Sequence, residues 1–171
     1  MNVRLAPGIA MLLLGACAQP PRHELEITKA RVEMARLQDA AIFAPALFSD
    51  AESSLAEAER LANVERDYRA AIQAAAHSTL RANEAFSRAS SERTFVVRRL
   101  DQLLFELEGL LEMATLRDAK EKSPSELAAF QARFDTVRAM VEGRDLLEAL
   151  AIGNALKPEL VAFEEKLRAG R

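Results

Sequence analysis

Cysteine occurs once, at Cys17, so no disulfide can form within the chain. Tryptophan is absent, and only Tyr68 and the phenylalanines supply rings. Two histidines, His23 and His77, are too few for an imidazole metal centre, which needs three or four N, S or O ligands. His23-Glu24 is not the start of an HExxH pair, because position 27 is Ile27. A nucleophile elbow and a glycine-rich phosphate loop are both missing. No cofactor, no metal and no enzyme activity are therefore expected. A formal charge of −3 gives no reason to expect nucleic-acid binding. No apolar run reaches the roughly 18–20 residues that a spanning helix needs.

What is present begins at the N-terminus. Arg4 is followed by an apolar stretch from Ile9 to Leu14, then Gly15 and Ala16. That order is the charged, apolar and small-residue layout of a secretory signal. Residues 1–16 are read as the signal peptide, with cleavage between Ala16 and Cys17. Residues 17–22 form a spacer in which Pro20 and Pro21 disfavour helix. An ordinary signal peptide with a chance cysteine is the competing reading.

From residue 23 to 171 alanine, leucine, glutamate and arginine dominate, as in long helices. Apolar residues recur at alternating spacings of three and four. Ile27, Ala30, Met34, Leu37 and Ala41 form one such set; Phe48, Ala51, Leu55, Ala58 and Ala62 a second; Leu127, Phe130, Phe134, Val137 and Val141 a third. Each set lies on one stripe of a helix. Pro45, Asp67, Pro124 and Asp145 mark helix starts, with Ser123 and Glu126 in a capping-box pattern. Helices are expected near 23–42, 45–63, 67–120, 124–142 and 145–168. Gly109 or Ser90-Ser91 are places where the longest would bend or break, and Pro158 where the last would kink. The fold class is all-α: an elongated antiparallel helical bundle on one long central helix. A helical hairpin duplicated over 45–90 and 124–168 is an option, because the helix-starting prolines and aspartates recur at nearly equal offsets.

Arg88, Arg93, Arg98 and Arg99 form a basic segment, read either as a salt-bridged solvated face or as a contact for an anionic partner. The apolar positions from Phe95 to Leu111 exceed one narrow seam. They are read as core, with a homodimer or partner surface as the alternative.

The junction Leu14-Gly15-Ala16-Cys17 resembles the lipobox of bacterial lipoproteins. The resemblance implies acylation of Cys17, a membrane partner through that lipid, and a place in the cell envelope. Ala18 in the following position points to the outer membrane, facing the periplasm. Residues 43–86 resemble an alanine-rich helical domain of envelope lipoproteins, through Ala44-Pro45, Ala51, Leu55, Ala58, Asp67-Tyr68, Ala71, Ala75 and Ala82. Relatives of that domain can precede OmpA-like peptidoglycan-binding domains, for which this chain leaves no room. The likeness implies the envelope and no known activity. The chain itself is read as a non-catalytic scaffold or partner-binding module. A carrier or chaperone for an apolar ligand such as lipid is the alternative.

Overall fold

The computed structural model describes residues 19–169, and they contain helices and no strand. Helix α1 spans Arg22–Leu37, α2 Ala40–Phe43 and α3 Pro45–Arg60. A π-helical turn, Leu61–Glu65, leads to α4 at Tyr68–Leu116. Helix α5 spans Ala119–Lys122, α6 Pro124–Gly143 and α7 Leu146–Ala169. The all-α class and the long central helix are as expected.

Helix α4 has 49 residues, a length of roughly 73 Å. It runs unbroken past Ser90-Ser91 and Gly109. Its buried residues start at Ala71 and end at Ala114. At 3.6 residues per turn all of them fall within about a quarter of the circumference. One face is thus covered along its whole length. Helices α1 and α3 cover the N-terminal half, and α6 and α7 the C-terminal half. The result is two three-helix units placed end to end and sharing one helix.

The same backbone events occur in both units. Outside glycine, positive φ is confined to Asp39, Arg66, Asp118 and Arg144 among the described residues. Asp39 precedes α2 as Asp118 precedes α5, and Arg66 ends the second helix of its unit as Arg144 does. Proline opens both α3 and α6. The spacing between the two sets shortens by one residue at the second turn, and the π-helical turn is where that residue sits. The Asp67 N–H donates to the Leu61 carbonyl, six residues back, while the Asp145 N–H donates to the Met140 carbonyl, five back.

The cores occupy matching positions with different side chains. Ala71, Ala75, Ser78, Ala82, Ala85 and Ala89 are buried in the first unit. Their counterparts in α7 are Ala149, Gly153, Leu156, Leu160, Phe163 and Leu167. Small side chains allow close helix approach, and large ones hold axes apart. Buried hydroxyls in the alanine core are satisfied internally: Ser78 Oγ donates to the Ala51 carbonyl at 2.6 Å, and Thr28 Oγ1 lies 2.8 Å from the Glu24 carbonyl.

Several expectations need correction. The first apolar stripe is not the buried one. Leu25, Thr28, Val32 and Ala35 face the core, and Ile27, Met34 and Leu37 are exposed. Thr28 hid that face in the sequence, because a hydroxyl interrupts the apolar pattern. The first helix stops at Leu37 rather than 42, and α4 at Leu116 rather than 120, because the left-handed Asp39 and Asp118 break the backbone ladder. Lys120 and Lys122 lie on the short α5 that follows. Ser123 makes no side-chain cap; its N–H closes α5 on the Ala119 carbonyl, and Glu126 pairs instead with Lys166 at 3.0 Å. Pro158 neither divides nor ends α7. Helix α6 does return along α4: Phe134 shares a core cluster with Leu107 and Leu111 and lies beside Leu111, while Val137 belongs to the cluster of Val96 and Leu100.

Phe134→Ala should lower stability by about 3–5 kcal/mol, since the ring sits in the core of the second unit. A loss below about 1 kcal/mol in a urea titration of dilute protein would contradict that packing. Gly109 and Gly153 should separate in the same assay. A Cβ at Gly109 meets nothing within 4 Å, so Gly109→Ala should gain about 0.5–1 kcal/mol. A Cβ at Gly153 comes within 2.7 Å of the buried Leu103 side chain, so Gly153→Ala should show no such gain.

Candidate functional site at the elbow between the units

The left-handed Asp39 turns the chain from α1 into α2 beside the middle of α4. The turn from α6 to α7 reaches the same place from the other unit. Phe43 packs against the cores of both units and joins them. Around it runs a depression of about 400 Å³ lined by Asp39, Ile42, Phe43, Arg93 and the segment Gly143–Glu148. A second groove of about 390 Å³ adjoins it across Arg93, lined by Gln38, Ser90, Thr94, Val97 and Arg98. Ile42, Val97 and Leu147 give the rim exposed apolar surface. Arg93 Nε stands 3.9 Å from Asp39 Oδ2, a loose and half-exposed pair.

Of the four arginines singled out in the sequence, Arg93 and Arg98 meet in this groove. Arg88 and Arg99 do not line it. They share another flank of α4, eleven residues or nearly three whole turns apart. Arg88 pairs with Glu92 at 2.6 Å, and Arg99 Nη1 donates to Gln102 Oε1 at 3.4 Å. Ala16 and Cys17 lie outside the described residues. His77 Nδ1 is 3.0 Å from Ser54 Oγ. Among the described residues no three His, Cys, Asp or Glu side chains gather as metal ligands would. Chemically, the elbow offers the guanidinium groups of Arg93, Arg98 and Arg144, the carboxylates of Asp39, Asp145 and Glu148, the Gln38 amide and an apolar rim, a charge-balanced lining that suits a polar segment.

Perturbed carboxylates occur in surface ion pairs. Glu106 is lowered from its usual value by hydrogen bonds from Lys157 and Gln102, and Glu159 by its hydrogen bond from Arg133. Glu57 is lowered by Arg60 in the same way. These pairs tie neighbouring elements or turns. Lys157 of α7 meets Glu106 of α4 at 2.7 Å, and Arg133 of α6 meets Glu159 of α7 at 2.5 Å. The least exposed pair, Arg117 with Glu164 at 2.6 Å, fastens the end of α4 to α7.

Sequence reasoning missed Gln38, Asp39, Ile42 and Phe43. A signal was available. Leu37-Gln38-Asp39-Ala40 and Leu116-Arg117-Asp118-Ala119 share a pattern of Leu, any residue, Asp and Ala, and in both a proline follows five residues after the alanine. Aspartate tolerates the left-handed region better than most residues with a Cβ. No known protein family matches the chain, and neither a curated protein nor a solved structure matches it.

The elbow depends on the φ of 59° at Asp39. Asp39→Gly should leave stability within about 0.5 kcal/mol or raise it, while Asp39→Val should cost roughly 1–2 kcal/mol, because a β-branched side chain resists that conformation. Equal urea midpoints for the two variants would show that the turn is not held in this conformation.

Proposed function

We propose that the chain is a lipid-anchored envelope protein, a non-catalytic scaffold that presents a helical rod to partners at a membrane surface. The observation that carries this reading is the Leu14-Gly15-Ala16-Cys17 junction, followed by Pro20-Pro21 and then directly by a helical domain starting at Arg22. Lipid on Cys17 confines the domain to a surface and raises its effective concentration for anything else held there. The first unit has a core built largely of alanine, which is consistent with a scaffold. No helix among the described residues is long and apolar enough to cross a membrane. The outer membrane, on its periplasmic side, is the proposed location.

One observation favours carriage of an apolar ligand as a second reading. Phe130 and Phe163, with ring centroids 5.1 Å apart, floor an open groove of about 360 Å³ between α6 and α7. The pairs Arg133–Glu159 and Lys166–Glu126 border it. Its open form and modest size suit a single acyl chain or aromatic side chain better than a whole lipid.

Cys17→Ser should abolish incorporation of labelled fatty acid and leave unprocessed precursor, since a hydroxyl does not replace the thiol nucleophile. Labelling of the serine variant equal to that of the parent chain would end the lipoprotein reading.

A further inference from the structure

The face of α4 opposite its buried side carries an apolar stripe in the second unit. Phe105 is 77% exposed, Leu116 66% and Phe95 64%, and Met113 is also exposed. Arg98, Gln102 and Gly109 complete the row, with steps of three, four, three, four, four and three residues from Phe95 to Leu116. Such steps keep the row on one face of the helix, where a second helix can lie against it. Nothing lies within 4 Å of the point where Gly109 would carry a Cβ. Gly109 therefore leaves open surface one turn after Phe105.

Along this stripe Arg98 lies seven residues before Phe105 and Glu112 seven after it. Both are exposed. Arg99 and Glu108 lie on opposite flanks of the helix, nine residues apart. Arg98 and Glu112 stand equally far from Phe105 on its two sides. A twofold axis at Phe105 thus brings Arg98 of each copy to Glu112 of the other. A parallel in-register pair would instead set Arg98 on Arg98 and Glu112 on Glu112, which is repulsive. An anionic membrane surface is a poorer occupant, because the exposed Asp101 and Glu112 border the stripe.

We propose that this face is a self-association surface: two copies of the chain pair antiparallel along α4 between Phe95 and Leu116, with Phe105 near the axis. Such an interface is isologous, the same patch serving both partners. It stands whether or not Cys17 is acylated, so its test is separate from that of the lipid anchor.

A photo-crosslinking phenylalanine analogue placed at position 105 of the full chain tests it in bacterial cells. Phe105 projects into solvent, so the analogue leaves each protomer's core untouched. The expected product has twice the chain mass, with the crosslinked peptide inside residues 95–116 of the second copy. The same analogue at the exposed Ala155 of α7 should give no such product. Replacing Arg98 by Glu, or Glu112 by Arg, should each reduce the product by about tenfold or more. Both replacements in one chain should restore it. Circular dichroism of each variant should stay that of the parent, since both positions are exposed. Adducts only with lipid or with a different protein, or absence of the double-mass product from the parent chain, would overturn the proposal. Failure of the double variant to recover, with its helix content intact, would overturn the antiparallel arrangement.

Discussion

One helix needs covering along one side for all of its 49 residues, and the rest of the molecule answers that need. An apolar face that long cannot remain in water, and helices of the length of α1 or α3 reach only about a third of the way along it. The chain therefore covers it twice, once before α4 with α1 and α3 and once after it with α6 and α7. The elbows at Asp39 and Asp118 and the turns at Arg66 and Arg144 are what send the covering helices back along the same face.

The two halves meet that need by different physics. The first is packed on alanine, and each buried methyl contributes little alone. Close helix contact and hydroxyl hydrogen bonds to the backbone, as from Ser78 to Ala51, make up part of the difference. The second is packed on leucine and phenylalanine, with Leu103, Leu107, Leu156 and Leu160 almost wholly buried. The groove over Phe130 and Phe163 lies on its outer side. Recurrence of the same turns around such different cores shows that the backbone plan does not depend on one set of core side chains.

Helix positions were legible in the sequence because three-and-four spacing and proline starts are local signals. Asp67 was legible as a cap, and its Oδ1 accepts from the Ala70 N–H at 3.0 Å. The elbow was not legible as a site, since it depends on Asp39 adopting a left-handed conformation, which composition around Gln38-Asp39-Ala40 does not demand. The face of α1 was misread for a related reason. Ile27, Met34 and Leu37 look more like a core than Leu25, Thr28, Val32 and Ala35, and only the three-dimensional placement of Thr79 at 3.0 Å from Thr28 shows why a threonine can be inside. Arg93 and Arg98 were visible as charges, but their convergence on one groove came from the elbow that faces them.

The continuity of α4 has a thermodynamic consequence. Neither half can unfold without fraying backbone hydrogen bonds that the other half's portion of the same helix continues. The two units are therefore nearest neighbours in a linear chain of cooperative elements, with the interface energy stored in covalent helix rather than in a docked surface. Their intrinsic stabilities are unequal, because leucine and phenylalanine remove more apolar area from water than alanine does. The second unit is the natural seed. It holds the C-terminal half of α4 helical and presents the rest already nucleated, so the alanine half avoids the unfavourable first turn that would make so small a core marginal by itself.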